Sequence, residues 1–423
     1  MGVSSPRSLG SLSPAAALRF FGGLVHRFCA SFRVGEVVVN LRATTDTRRG
    51  SQPVDPTGRH LSVSALGLTR MAGVARRHHT VPRFYLDNFA EAGQVGTVML
   101  PGDRRFTQSV NNASAMTDFY AVGQPNAEGS DAFEKVLSTL ETAAAPVVRK
   151  VLGGTWPLVE EDRTVLAEFA TVQHLRGPDR RNHMQNMAAQ FARMDISLNG
   201  KEWMAERFAE YTGGELDGEQ IDRLWEQATR PEGPPLTVSP AEHIEQIVDL
   251  LPKVYWYFAA RPWSLIRFSR QRLLTCDTPV LLVPHADHPD WAGVGLLTAW
   301  ALALPLSPDT ALLMTDPAPV AEHVTREYVG AGTLDRVEPA NTKWARALRA
   351  LAVGNARRFI YHHPNDSSLV PEDLPEPAST EIVAPTNDFV AMGQAMRESN
   401  RTPATDDDGE LSPAEGSDRA TKP

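Results

Sequence analysis

The pattern of apolar residues changes along this chain, and that change limits which folds the chain can form. Between 130 and 260, apolar side chains recur three and four positions apart, as on one face of a helix. From 263 to 314 they gather in short runs broken by turn residues, such as WSLIRFS, PVLLV and TALLM, which are typical of strands. The sequence therefore predicts an α+β fold: mostly helical in its N-terminal and middle parts, with an antiparallel sheet meander in its C-terminal part.

Individual elements follow from the same patterns. Pro82 suits the first turn of a helix, with Thr80 as its cap. The stretches GTVML, DFYAV and RRFIYHH read as strands. Pro146 should kink or divide the first long helix. The remaining helices are expected at 130–152, 160–175, after Gly177-Pro178, and at 201–228, 240–260 and 341–356.

Both ends of the chain differ in composition from the middle. Residues 366–423 carry 13 acidic and 4 basic side chains and have few aromatic residues, so they predict a disordered acidic tail. Residues 1–70 are rich in Arg, Ser, Gly and Pro and show no sustained period. The predicted organisation is therefore a disordered or mis-assigned segment at 1–70, a single α+β domain at 71–365, and a disordered tail at 366–423.

Three interpretations of residues 1–70 remain open. The segment has the composition of a targeting peptide, but it could equally be a disordered basic arm. It could also be upstream sequence translated from a start codon placed too early. The chain contains 36 Arg and 6 Lys, which suggests a GC-rich genome, and Met71 lies eight residues before His79. We favour the early start, which would make Met71 the first residue.

Charge and cysteine content exclude several classes of protein. The net charge is −9, and residues 78–365 carry 35 acidic against 27 basic side chains, which disfavours extended non-specific binding to duplex nucleic acid. The two cysteines, Cys29 and Cys276, are far apart, so a disulfide framework is not expected. No run of eighteen apolar residues occurs. We therefore expect a soluble cytoplasmic protein without a membrane partner, and both small molecules and nucleic acid remain open as ligands.

An ordered set of short motifs resembles a known family. The motifs are HHTVPRFYLDNFA, FYAV, FEKVLSTLE, QHLRGP, WSLIRF…LLTCDTPVLLV, LPLSP and N…ARRFIYHH. Together, over roughly residues 75–363, they resemble the DUF4238 family, whose function is unknown. The resemblance implies a shared fold, no activity that can be transferred, and a domain that begins near His79-x-x-Pro82. Family members commonly have Ser where this chain has Cys276, so the resemblance assigns no hydroxyl chemistry to that position.

Six residues from separate elements are the predicted catalytic residues. His79 has a proton affinity close to neutral pH and could act as a base, a ligand or a cation, or simply pack beside the first helix. Glu134 and Glu141 are two turns apart on one helix face, where paired carboxylates could hold a divalent metal ion or divide acid and base roles; the alternative is a solvent-facing salt bridge.

The other three candidates end a helix or interrupt strands. Gln173 and Arg176 are one turn apart, and Arg176 could hold a phosphate or pair with Glu134 or Glu141 across a helix interface. Asp277 lies between two apolar strand runs, where an acid is costly without a partner or a function. The alternative for Asp277 is a turn in which its carboxylate caps backbone amides.

Two functions are consistent with this set. In the first, the six side chains converge in a cleft and hydrolyse a phosphodiester or another phosphate-containing substrate. In the second, the chain is a non-catalytic binding or interaction module, and the polar cluster is a structural ion network. No G-x-S-x-G, P-loop or H-E-x-x-H motif occurs, so standard serine-hydrolase, nucleotide-binding and zincin interpretations fail. The cofactor, if any, is not determined by the sequence.

Overall fold

The computed structural model describes residues 75–124, 127–289, 293–377 and 388–401. The predictions for residues 1–70 therefore lie outside the described residues. Within the described ranges, no helix is both long and apolar enough to cross a membrane. The chain forms two compact units. The larger contains 75–189 and 235–377, and the smaller contains 190–234 and 388–401; the sequence-based prediction had not separated residues 190–234 from the rest.

The order of elements matches the predicted change from helices to strands. In chain order the described helices are α1 (Arg83–Asp87), α2 (Ala132–Leu152), α3 (Glu160–Leu175), α4 (Pro178–Asn199), α5 (Lys201–Thr212), α6 (Gly218–Thr229), α7 (Pro240–Val254), α8 (Trp256–Ala259), α9 (Arg326–Gly330), α10 (Thr342–Asn355) and α11 (Asp388–Arg401). The strands are β1 (Arg77–His79), β2 (Gln94–Met99), β3 (Arg104–Ser109), β4 (Ala115–Thr117), β5 (Trp263–Arg267), β6 (Thr275–Cys276), β7 (Leu281–Val283), β8 (Ala301–Ser307), β9 (Thr310–Thr315), β10 (Arg336–Glu338) and β11 (Phe359–His362).

Three sheets form in the larger unit. The five-stranded sheet has the order β10-β5-β9-β8-β7, and the four-stranded sheet has the order β3-β2-β11-β6. Strands β7, β8 and β9 are consecutive antiparallel neighbours, as the predicted meander requires. Strand β6 leaves this series and pairs with β11, while β10 joins the edge of the larger sheet parallel to β5. Strands β1 and β4 pair separately and antiparallel.

The central strands of the five-stranded sheet, β5, β9 and β8, are buried on both faces, which explains their continuous apolar runs. Because side chains alternate along a strand, Leu302 and Leu304 of β8 share one face and Ala303 the other. The first face packs with residues of α1, α2 and α3. The second face packs with residues of α10, β2 and β11. All residues of β8 are therefore buried.

Helices α2 and α3 position most of the predicted site residues. Pro146 was expected to kink or divide the first long helix. Helix α2 continues through Pro146, so this proline does not divide it. The first turn of α3 contains Glu160, Glu161 and Asp162, whose charges favour a helix N-terminus. An ion pair of 2.6 Å between Lys150 and Asp162 joins the two helices.

Two local predictions were wrong. Thr80 does not cap α1, because the α1 N-cap is Pro82 and the Thr80 hydroxyl hydrogen-bonds to Ser114 instead. DFYAV is not a strand, since Asp118 begins a turn after β4. The apolar rings of DFYAV are buried by packing against helices, including Phe119 and Tyr120 beside Ile244 of α7. Burial, rather than strand pairing, therefore explains the apolar character of this stretch.

The predicted tail includes ordered segments. Residues Pro364–Leu369 form a 3-10 helix, and Asp388–Arg401 form α11 in the smaller unit. A Cβ atom at Gly393 would lie 2.5 Å from the Leu198 carbonyl oxygen, so glycine permits close approach of α11 to the end of α4. Arg397 also donates to the Leu198 carbonyl. The low apolar content of the tail gave no indication of this contact. Residues 378–387 and 402–423 lie outside the described residues.

Candidate functional site

Five of the six predicted site residues surround one stretch of backbone, at the end of β1. We call His79, Glu134, Glu141, Gln173 and Arg176, with the backbone of Thr80, the Thr80 cluster. The Thr80 carbonyl accepts hydrogen bonds from Gln173 Nε2 at 2.9 Å and from Arg176 Nε at 3.1 Å. Gln173 and Arg176 reach the same oxygen because they are three residues apart on one face of α3. The cluster thus ties the end of α3 to the residue that follows β1.

Arg176 is the central cation of the Thr80 cluster. Its Nη1 donates to Glu141 Oε1 at 2.7 Å, and the two side chains are 2% and 25% exposed. Its Nη2 is buried and has no hydrogen-bond partner among the described residues. The pairing with Glu141 agrees with the predicted contact across the helix interface. The guanidinium is therefore held in place by Nε and Nη1, while its Nη2 nitrogen has no hydrogen-bond partner among the described residues.

Glu134 lies on α2, two turns before Glu141. Its Oε2 is buried, and nothing in the described part of the chain hydrogen-bonds to it. Burial raises the pKa of Glu134 to about 7, opposed by the positive charge of Arg176 and assisted by the negative charge of Glu141. A backbone hydrogen bond from His79 also favours the ionised form. Glu134 can therefore exchange a proton near neutral pH.

His79 is neutral at physiological pH. Burial is the main cause that lowers its pKa to about 4, and the positive charges of nearby arginines, including Arg176, lower it further. Its Nδ1 lies 3.2 Å from the Ala113 carbonyl oxygen, which can only accept, so Nδ1 carries the proton. The other ring nitrogen, Nε2, is then an acceptor. The role as a phosphate-binding cation that the sequence had left open is thus disfavoured.

His78, next to His79, has a structural role. Its Nε2 lies 2.9 Å from the Ala75 carbonyl oxygen, and its Nδ1 accepts a hydrogen bond of 2.7 Å from the Tyr120 backbone N–H. These two contacts fix the tautomer, because a carbonyl needs a donor and an N–H needs an acceptor. Of the two adjacent histidines, His79 therefore belongs to the candidate site and His78 anchors the backbone.

Asp277, the sixth predicted residue, anchors a different segment. Its carboxylate accepts hydrogen bonds from three consecutive backbone N–H groups, those of 357–359, at 2.9, 2.8 and 3.2 Å. Its own N–H donates to the Phe359 carbonyl at 3.0 Å. This is the amide-capping role that was the alternative to a catalytic one, but the amides come from the start of β11 rather than from its own turn. Burial raises the pKa of Asp277 to about 6 against the effect of these donors, and the charge of Asp179 adds to the increase.

A small polar pocket lies beside Asp277. Its space amounts to about 10 Å³, close to what one water molecule needs. We call it the Asp277 pocket. The residues that line it and matter here are Gln173, His174, Asp179, Arg180, Asp277 and Asn355. Gln173 is the member of the Thr80 cluster that also lines this pocket.

The sequence had not singled out four of these lining residues. His174 lies in the QHLRGP stretch, and Asp179 and Arg180 follow it directly; polar residues at a buried helix end were a usable signal. Asn355 had no local signal, because it approaches Asp277 through the packing of α10. Its Nδ2 donates to the Thr278 carbonyl at 2.5 Å.

Metal binding has little support in the described parts of the chain. No three His, Cys, Asp or Glu side chains there are placed so that they could hold a metal ion. The divalent ion suggested by Glu134 and Glu141 therefore has no three-ligand site among those residues. An acid–base role needs only one carboxyl group, so the lack of a three-ligand site among the described residues does not bear on it.

Comparisons with known proteins give a family but no activity. A family model described as "Protein of unknown function (DUF4238)" matches residues 77–366. The match covers more than half of the chain and includes every residue of the Thr80 cluster and of the Asp277 pocket. No curated protein and no solved structure matches the sequence.

Proposed function

Because the chain belongs to the DUF4238 family of proteins of unknown function, we propose an activity from the Thr80 cluster itself: hydrolysis of a phosphodiester or another phosphate-containing substrate. One observation carries the proposal. Glu134, with a pKa of about 7, lies in the field of the buried Arg176 guanidinium, which has an unused N–H group. A carboxyl group perturbed by burial and by a specific charged partner is characteristic of functional sites.

The cluster offers a distinct role to each side chain. A carboxyl group with a pKa near 7 is divided between its acid and base forms at neutral pH, so Glu134 can accept the proton of an attacking water molecule. Arg176 Nη2 can donate to a phosphoryl oxygen as negative charge develops there. Neutral His79 can accept a hydrogen bond through Nε2 from the water or from a substrate hydroxyl. Glu141, at one edge of the cluster, is 25% exposed, whereas Glu134 Oε2 and Arg176 Nη2 are themselves buried.

Asp277 is left out of this catalytic set. Its two oxygens already accept three backbone hydrogen bonds, so its supported role is to hold the start of β11. The catalytic set that we propose is therefore smaller than the sequence suggested. It consists of Glu134 and Arg176 as the acting groups, with His79, Glu141 and Gln173 as the groups that position or assist them.

A second function is favoured by the hydrogen bonds of Arg176. Its Nε and Nη1 both bind protein acceptors, the Thr80 carbonyl and Glu141, as in an ion network that fixes a fold. On this alternative the chain is a non-catalytic binding or interaction module. The unused Nη2 and the neighbouring Glu134 Oε2 would then be hydrated without taking part in a reaction.

Hydrolysis of chromogenic phosphate esters by the full chain distinguishes the two functions. The substrates are bis(4-nitrophenyl) phosphate and 4-nitrophenyl phosphate, and the variants are Glu134→Gln and, as a control, Glu161→Gln. Glu161 is an exposed acid in the first turn of α3. We expect Glu134→Gln to lose roughly 10²-fold or more in rate, as removal of a general base does, and Glu161→Gln to match wild type.

The opposite results support the second function. If wild type hydrolyses neither ester, or if Glu134→Gln hydrolyses them as fast as wild type, Glu134 has no catalytic role. Thermal melts of all three proteins show whether a loss of rate merely reflects a loss of folded protein.

A further inference from the structure

Gln173, which lines the Asp277 pocket, carries a buried hydrogen-bond acceptor that the fold does not use. Gln173 is 4% exposed, and its Nε2 is committed to the Thr80 carbonyl. The amide oxygen of the same side chain, Oε1, is buried and finds no partner within the described residues. A buried acceptor without a partner destabilises the folded state. An occupant of the pocket that donates a hydrogen bond would remove this cost.

The charges that line the pocket favour a positive occupant. The lining contains two carboxylates, Asp179 and Asp277, and one guanidinium, that of Arg180, whose Nε lies 3.3 Å from Asp179 Oδ2. His174 adds no positive charge, because burial and the charge of Arg180 lower its pKa well below the usual value. The charge of Asp179 also acts on Asp277 and raises its affinity for a proton. The pocket therefore has an excess of negative charge, and its buried atoms without a hydrogen-bond partner in the described part of the chain are the Gln173 Oε1 acceptor and the Arg180 Nε donor.

We propose that the Asp277 pocket binds an ammonium group, either the free ion or the head of a small primary amine. An ammonium ion carries only donors and one positive charge, which matches the Gln173 acceptor and the two carboxylates. It is also close in size to a water molecule, and the pocket has about 10 Å³. A phosphate or carboxylate ligand is disfavoured because it would face Asp179 and Asp277. This site shares Gln173 with the proposed catalytic set, but binding of an ammonium group there does not depend on phosphate hydrolysis.

Thermal melts of the full chain test the proposal with four chloride salts at equal concentration. The cations are ammonium, methylammonium, potassium and tetramethylammonium. Potassium has a similar size and charge to ammonium but no N–H groups, and tetramethylammonium has neither the size nor the donors. Since a ligand that binds the native state raises its stability, we expect ammonium and methylammonium to raise Tm saturably by roughly 2 °C or more above the other two salts.

A matched pair of variants locates the effect. Asp179→Asn removes a carboxylate from the pocket and leaves Arg180 without its ion pair, so the ammonium-specific rise should disappear. Asp162→Asn is the control: Asp162 also lies in the first turn of a helix and pairs with a basic residue, but it does not line the pocket. The control should keep the full response to ammonium.

Three results overturn the proposal. Equal Tm in all four salts means that the pocket holds water only. An equal rise with potassium means that charge, and not N–H donation, is recognised. A response that Asp179→Asn retains means that ammonium binds elsewhere. The wild-type comparison of salts decides the matter even if Asp179→Asn does not fold, and none of these readouts requires hydrolysis.

Discussion

Two buried arginines on the same helix lie in opposite kinds of surroundings. Arg163 near the start of α3 is at most 1% exposed, and Arg176 at its end is 1% exposed. Every nitrogen of the Arg163 guanidinium group donates to protein oxygen: Nε and Nη2 to Asp335, Nη1 to two backbone carbonyls, and Nη2 to a third. Arg176 has one nitrogen without such a bond among the described residues. The first group is a closed cross-link, whereas the second retains binding capacity.

The counterions explain the difference. The Asp335 side chain is 0% exposed and also accepts the Trp263 backbone N–H at 3.1 Å, and the Trp263 ring lies 4.0 Å from the Arg163 guanidinium carbon. Glu141, the counterion of Arg176, is 25% exposed. Burial of an arginine therefore does not identify a functional site. Incomplete hydrogen bonding together with a counterion that reaches solvent is the more informative combination.

Removal of the Arg163 side chain should have the largest effect on stability. Arg163→Met leaves Asp335 buried without its counterion, so we expect the free energy of unfolding to fall by about 3–5 kcal/mol. Denaturant melts measure the loss. The double variant Arg163→Met/Asp335→Leu should recover much of it, because no uncompensated charge remains. A loss below about 1 kcal/mol in the single variant would show that Arg163 is not a closed cross-link.

Removal of the Arg176 side chain should cost less. In Arg176→Met, Glu141 can recover hydration and the Thr80 carbonyl keeps the hydrogen bond from Gln173, so we expect a loss of about 1–3 kcal/mol. Ester hydrolysis, if Arg176 binds phosphate, should fall below detection at the same time. Equal destabilisation of the Arg176 and Arg163 variants in the same denaturant melt would contradict the difference that we draw between the two arginines.

Replacement of Glu134 should change stability by an amount that depends on pH. The folded pKa of about 7 is above the ordinary value of 4.5, so the folded state binds the proton more tightly, and wild type loses stability as pH rises from about 4.5 to 7. Glu134→Gln has no such proton to lose. We therefore expect the variant to gain stability relative to wild type across this interval and to show a constant difference above it.

Denaturant melts at several pH values measure the difference in unfolding free energy between wild type and Glu134→Gln. His79 acts in the opposite sense, because its lowered pKa of about 4 favours the folded state as pH rises toward 6.5. That contribution is present in both proteins and cancels in the difference. A difference that does not change with pH would mean that Glu134 titrates normally and would weaken its assignment as the acid–base group.

The local part of the fold was predictable, and the pairing of distant elements was not. The spacing of apolar residues gave α3 with its observed bounds, Glu160–Leu175, because one helix face packs on the sheet. The transfer of β6 to the second sheet and the parallel edge strand β10 depend on contacts across long stretches of chain. No local pattern specifies such pairing, since register and neighbours are set by burial of both faces.

The candidate site was predictable to a similar degree. Residue types that are costly to bury pointed to Arg176 and Asp277, and the structure gives each of them partners. The partners of Asp277 are backbone N–H groups of 357–359, and an N–H group has no signature in the sequence. The Thr80 carbonyl was missed for the same reason. The sequence therefore could not show whether such a polar residue takes part in a reaction or holds the backbone in place, because its partners are main-chain atoms.

Arg163 and Arg176 are each fixed by hydrogen bonds near opposite ends of α3, so the length of this helix sets the distance between them. The two arginines are thirteen positions apart, so a helix places them roughly 20 Å apart along its axis, with a fixed angle between them about that axis. One inserted residue between them would turn Gln173 and Arg176 by about 100° away from the Thr80 carbonyl. The number of residues in this helix, as much as their identity, is therefore part of the site, whereas the loop at 153–159 can change length without altering that angle.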